Sequence, residues 1–223
     1  MGLQAQQLTL ARGRRSLFEG LDFEVGPGES LRVHGPNGCG KTSLLRVVCG
    51  LSQPQGGAVY WQGQPVSHVS SAREALQREL LYIGHAPGLK DDLSAAENLQ
   101  FSARFAGRPC SREQALRALT QLGLRERAHL PTRVLSQGQR RRVALARLAL
   151  TPAPGLLVLD EPYNGLDTDA VTLVATLLRQ QLTAGAALLY TTHHAHLALA
   201  GQGKPVRELR LGPGLAADAA WAA

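Results

Sequence analysis

The segment Gly35-Pro36-Asn37-Gly38-Cys39-Gly40-Lys41-Thr42 constrains the fold of this chain more than any other. It fits the spacing G-x-x-x-x-G-K-T, and its flanks matter as much as its residues. Ser30-Leu31-Arg32-Val33-His34 reads as a strand running into it, and Thr42 to Cys49 as a helix leaving it. A glycine-rich loop between a strand and a helix can turn its backbone N–H groups inward. The helix N-terminus adds positive partial charge, so the whole is a cradle for phosphate. Lys41 is placed to bridge the β- and γ-phosphates of a nucleoside triphosphate, and the Thr42 hydroxyl to ligate Mg²⁺. Ser43 follows on the same helical turn.

Leu156-Leu157-Val158-Leu159-Asp160-Glu161 supplies a second half to such a site. Four apolar residues in a row read as a parallel strand buried on both faces, and its end presents two adjacent carboxylates. Asp160 is expected to meet the Mg²⁺ shell through water, and Glu161 to polarise a water attacking the γ-phosphate. Alone, an apolar strand ending in Asp-Glu is as often structural; paired with the phosphate loop it gains meaning. A third segment, Leu135-Ser136-Gln137-Gly138-Gln139, precedes Arg140-Arg141-Arg142-Val143-Ala144-Leu145-Ala146-Arg147. It places a serine and a glycine at the start of an amphipathic helix, another anion-binding arrangement. A second cradle in a chain that already has one makes sense if it closes over a nucleotide held by a second copy. An ordinary capped helix with a solvated arginine face explains Ser136 alone.

Together these segments resemble the nucleotide-binding domain of ABC ATPases, over nearly the whole chain to about residue 211. Leu135 to Gln139 is similar to that family's LSGGQ signature, with Gln137 in place of the usual small residue. Asn164-Gly165-Leu166-Asp167 sits where the family has its D-loop, and His193 where it has its switch histidine. The resemblance implies ATP and Mg²⁺ as ligands and two copies sandwiching two nucleotides. By it, Asp167 contacts the facing copy and His193 hydrogen-bonds the γ-phosphate. Two positions depart from the pattern. Arg12 stands nearest to where an aromatic ring usually stacks on adenine; its guanidinium can stack instead, and the nearby ring of Phe18 reads as core. His85 stands where a glutamine usually ligates Mg²⁺, a softer and pH-sensitive substitute.

Within the family, Gly84-His85-Ala86-Pro87-Gly88-Leu89-Lys90, the signature helix and Thr191-Thr192-His193 are similar to the ATP-binding subunits of cytochrome c maturation (haem exporter) systems. Tyr163-Asn164-Gly165 departs from that group's usual Phe-Thr-Ala. The likeness implies an integral membrane subunit on another chain, haem-handling maturation proteins as partners, and a peripheral place on the cytoplasmic face of the cell inner membrane. The helical lobe is then the expected dock for a short helix of the membrane subunit.

The pattern along the chain agrees with an α/β class: a phosphate-loop NTPase core with a parallel sheet, an N-terminal antiparallel β subdomain and an inserted helical subdomain. Short strands are expected across residues 3–33, then Ala58–Trp61, Leu80–Ile83, Ala187–Tyr190 and Val206–Leu211. From Ser94 to Val134 the pattern is helical, with Ser111-x-Glu113 expected to cap a helix through Leu119, and a further helix over Gln137–Leu150. The ATPase domain is expected over 1–211, with the helical subdomain at about 91–150 and a flexible tail at 212–223. Neither a membrane-spanning run nor a signal peptide is expected, since no apolar stretch nears the roughly 20 residues a span needs.

The chain carries 24 Lys and Arg against 17 Asp and Glu, a formal charge of +7 in 223 residues. That excess fits nucleic acid, an anionic surface, a phosphorylated ligand or merely an arginine-rich surface. The arginines are scattered with few aromatics between them to stack bases, so no nucleic-acid partner is expected. Cys39, Cys49 and Cys110 match neither a disulfide framework nor zinc spacing. Cys39, beside Lys41 at a helix start, reads equally as a reactive thiolate or as an inert residue. His193-His194-x-His196 reads as a solvated turn sooner than a metal site, lacking acidic or thiol neighbours.

Overall fold

The structure, a computed structural model, describes residues 2–13, 15–66, 70–151, 154–193, 199 and 205–212. His194, His196 and the 213–223 part of the expected tail lie outside the described residues. The described chain falls into two compact units, one drawn from 1–82, 153–161 and 181–223, the other from 83–152 and 162–180.

In the first unit, β1 (Leu3–Arg12) and β2 (Arg15–Val25) form a long hairpin, followed by β3 (Ser30–His34) and helix α1 (Lys41–Val48). Next come β4 (Gly56–Trp61), β5 (Gln64–Pro65), α2 (Ser70–Glu79) and β6 (Leu80–Ile83), and later β7 (Leu156–Asp160), β8 (Ala187–Thr191) and β9 (Arg207–Arg210). An antiparallel sheet runs β2-β1-β4-β5, and a second sheet runs β6-β7-β8-β3-β9 with β7, β8, β3 and β9 parallel to their partners. Helix α2 escapes a reading of the sequence because its apolar stripe is thin. Among its described side chains only Ala72 and Leu76, four residues apart, are buried, among Arg, Glu and Gln.

Every residue of β7 and β8 is buried, as their unbroken apolar runs demand. Side chains alternate across a strand, so each of these strands has two inner faces. On one face Leu31, Val33, Leu156, Val158, Ala187 and Leu189 share a core with Leu44, Leu45, Val47 and Val48 of α1. On the other face the buried Arg32 donates to Glu208 at 2.6 Å, across the β3–β9 pairing. That ion pair offsets the cost of an arginine in a central strand. His34 Nε2 lies 3.4 Å from the same carboxylate, and partial burial lowers its pKa below the usual imidazole value.

The second unit is helical: α3 (Ala95–Phe105), α4 (Arg112–Gln121), α5 (Gln137–Leu145), α6 (Arg147–Leu150), and α7 (Thr168–Thr183) through Gln180. Helices α3, α4 and α5 each start with a reciprocal capping box, Ser94 with Glu97, Ser111 with Gln114 and Ser136 with Gln139. The box at α4 therefore uses Gln114 rather than Glu113, because it needs the third helical residue. Glu113 instead pairs with Arg117 one turn on. The helix expected over Gln137–Leu150 breaks at Ala146, whose N–H is shared between the carbonyls of Arg142 and Val143, a tightening toward 3₁₀ geometry. Buried Asn98 satisfies the loop before α3, accepting from Lys90 N and donating to the carbonyls of Lys90, Leu93 and Ser94. Phe101 and Phe105, one turn apart on α3, stack at 6.4 Å while 50% and 87% exposed. Among the described residues no helix is long and apolar enough to cross a membrane.

Truncating Leu156, which is 0% exposed, to alanine opens a cavity in a fully buried strand. The change is expected to cost about 2–5 kcal/mol, read as a shift of the urea unfolding midpoint.

Candidate functional site

In the first unit the apolar stripes of β7 and β8 end together in polar groups. Val158 and Leu189 face the core under α1, and the next residues on that same face are Asp160 and Thr191. These two are direct neighbours in the parallel ladder. At the start of α1, Thr42 Oγ1 donates to Asp160 Oδ2 at 2.7 Å. Thr191 Oγ1 donates to Asp160 Oδ1, also at 2.7 Å. The carboxylate is 2% exposed, and both of its oxygens are held by hydroxyls from two separate elements. The expected pair of Thr42 and Asp160 is thus in contact.

Glu161 follows immediately. Its φ of 50° is left-handed, a conformation that costs a residue with a side chain of order 1–3 kcal/mol. Its N–H donates to Thr191 Oγ1 at 2.8 Å, and Oε1 lies 3.3 Å from His193 Nε2. The Glu161 side chain is 13% exposed and that of His193 60%, so the pair opens outward through the histidine. Thr191 was not singled out from the sequence as a site residue. The available signal was a hydroxyl at the end of a run, Ala187 to Tyr190, that is otherwise wholly apolar.

The loop itself has the expected form. Lys41 Nζ donates to the carbonyls of Gly35 at 2.8 Å and Pro36 at 3.1 Å, which holds the ammonium over the loop. Gly35 has φ 146°, and a Cβ there would lie 2.1 Å from the Leu211 carbonyl oxygen. Leu17 of β2 packs on the loop at Gly40. Cys39 is 4% exposed and belongs to the core beneath α1, so its surroundings match the inert reading rather than the reactive one. Cys49 is likewise core, and burial pushes its thiol pKa up. Arg12 is exposed at the tip of the β1–β2 hairpin, opposite Arg15, and Phe18 is buried in the core.

Thr42 and Asp160 offer hard oxygen donors side by side. Among the described residues no group of three His, Cys, Asp or Glu could hold a metal by itself. One or two protein oxygens, completed by phosphate and water, are what Mg²⁺ takes in phosphoryl-transfer sites, so the residues fit that cation.

The second unit holds the remaining expected residues. Ser136 Oγ accepts from Gln139 N at 3.2 Å, and Gln139 Oε1 accepts from Ser136 N at 3.0 Å. A capping box therefore accounts for two residues of the motif. Leu135 is buried. Gly138 has a steric reason of its own, since a Cβ there would meet the Gly165 carbonyl at 2.6 Å. Asp167 caps α7, its Oδ1 accepting from Ala170 N at 2.8 Å. His85 is exposed, while its carbonyl and that of Gly84 accept from the buried guanidinium of Arg141. Arg140 joins the same loop to α5, bonding the Asp91 carboxylate at 2.6 Å and the Thr132 carbonyl at 3.0 Å.

The family model described as ABC transporter matches residues 18–164. The chain is 48% identical over 191 residues to the "Cytochrome c biogenesis ATP-binding export protein CcmA" of Aromatoleum aromaticum, covering 86% of this chain and 88% of the relative. It is 45% identical over 210 residues to the protein of that name from Pseudomonas putida, covering 94% and 96%. Among solved structures it is similar to an ATP-binding subunit of an ABC transporter, with 26% identity, TM-score 0.75 and coverage of 88% and 81%. The fold is also that of a dimeric bacterial ABC transporter cassette, with TM-score 0.80, 24% identity and 94% of each chain covered.

Gly35→Ala is expected to destabilise by about 1–3 kcal/mol, because the backbone there suits only glycine and the Leu211 carbonyl has to move. Thermal melting should register the change at about 2–4 °C per kcal/mol.

Proposed function

The chain belongs to the ABC transporter family, and on that premise we propose that it is the ATP-hydrolysing subunit of an export system serving cytochrome c biogenesis. The contact that carries this reading is Glu161 Oε1 to His193 Nε2, at 3.3 Å, one residue beyond the Asp160–Thr42 pair. A base, a group oriented toward it and a metal-binding pair thus adjoin one phosphate loop. The N–H groups of Gly35 through Ser43 and the Lys41 ammonium bind the triphosphate. Thr42, and Asp160 through water, would hold Mg²⁺, which would neutralise charge building on the phosphate oxygens. Glu161 orients a water and takes its proton as the oxygen attacks Pγ and the bond to the bridging oxygen of ADP breaks. His193, with Nε2 at 3.3 Å from Glu161 Oε1, reaches toward the γ-phosphate. Arg12 is assigned to the adenine face and His85 to the γ-phosphate and Mg²⁺ end of the nucleotide.

Two copies act together in this reading. Ser136 to Gly138 of one copy caps the triphosphate held by Lys41 of the other, and Asp167 lies at the seam between them. The dimeric form of a cassette with the same fold supports that arrangement. The relatives' printed name, an export protein, supports an integral membrane subunit on a separate chain. Haem-handling maturation proteins as further partners, and the cytoplasmic face of the inner membrane as the location, rest on the residue string around His85.

Glu161→Gln should keep ATP affinity, lose turnover by about 100-fold or more, and accumulate an ATP-bound dimer visible by light scattering. Unchanged turnover removes Glu161 from the role of base. Separately, the chain should sediment with membranes only when its membrane subunit is co-expressed; salt-sensitive DNA binding in its absence would point to another class of ABC protein.

A further inference from the structure

We propose that Thr191 is a positioning residue for both carboxylates of the hydrolytic site, a role that rests on the function proposed above. A hydroxyl has one proton to give, and Thr191 gives it to Asp160 Oδ1. Its lone pairs remain for the Glu161 N–H, which donates to it at 2.8 Å. One fully buried oxygen, on a residue 0% exposed, thus acts on two neighbouring carboxylates in different ways. Toward Asp160 it fixes rotation of the side chain, since with Oδ1 held, Oδ2 is the oxygen presented to Thr42 at 2.7 Å. Toward Glu161 it holds the backbone, anchoring the N–H of a residue whose left-handed φ of 50° is strained.

The placement is forced by the parallel pairing. Thr191 stands opposite Asp160 at the end of β8, on the face that the buried Ala187 and Leu189 occupy further back. Valine at 191 keeps the shape and the burial but offers neither donor nor acceptor. The Asp160 carboxylate then loses one of the two hydroxyls that set its orientation, and the part-buried Glu161 N–H loses the Thr191 oxygen it donates to. Serine keeps the hydroxyl and drops only a methyl group. Partners that orient a metal-binding side chain typically change metal affinity or activity by about 10- to 100-fold.

The test compares the full-length Thr191→Val and Thr191→Ser variants with the unaltered chain. Three quantities are measured: ADP affinity in EDTA, Mn²⁺ affinity in the presence of ADP by electron paramagnetic resonance, and kcat and KM for Mg·ATP hydrolysis. Thr191→Val should leave ADP affinity unchanged, weaken Mn²⁺ binding by roughly 10- to 100-fold, and lower kcat more than it raises KM. Thr191→Ser should recover most of both losses. A valine variant with the unaltered Mn²⁺ affinity and kcat overturns the proposal, as does a serine variant impaired as deeply as the valine one. If the unaltered chain binds no ADP, the function itself fails, and this role with it.

Discussion

Asp160 is the point on which the site's geometry depends. A carboxylate 2% exposed is tolerated only with its oxygens satisfied, and here the partners are hydroxyls from helix α1 and strand β8. Three elements that share no local sequence are therefore fixed against one another at the rim of the phosphate loop. The apolar face beneath them, Val158 and Leu189 against Leu44, Leu45 and Val48, sets the distance at which those hydroxyls arrive. The same strand faces supply the core and then, one alternation later, the polar groups at its end.

The second unit follows a different logic. Its motif residues have local structural reasons that need no ligand: Ser136 and Gln139 cap a helix, Gly138 admits a carbonyl, and Asp167 caps another helix. Such double use is physically economical, because the interactions that end a helix also leave its first N–H groups pointing outward. Arg141 and Arg140 tie the loop containing His85 to that same helix from below. The loop and the motif thus belong to one braced piece of structure.

Strands β7 and β8 and the glycine-rich loop were legible in the sequence because their signals are intrinsic: unbroken apolar runs, and glycines that only special backbone angles require. The apolar runs 156–159 and 187–190 needed no tertiary context to read. What was hidden lies in narrow local margins or in contacts between distant segments. Helix α2 shows too narrow an apolar stripe, the break at Ala146 has no glycine or proline to announce it, and Gln114 rather than Glu113 completes a cap by a margin of one residue. Thr191 was passed over as a site residue because its meaning lies in a partner 31 positions away.

The Leu211 carbonyl that presses on Gly35 has a bearing on the order of synthesis. Strand β3, which feeds the phosphate loop, lies between β8 and β9, and Leu211 N donates to the His34 carbonyl at 2.8 Å. Both neighbours of β3 are made well over a hundred residues after it. A nascent chain therefore carries its glycine-rich loop out of the ribosome with that strand unpaired on both edges, and the loop sets only when nearly the last of the described residues has emerged. Loop closure over such separations is slow, so the interval before the site sets is when this chain is most exposed to misassembly.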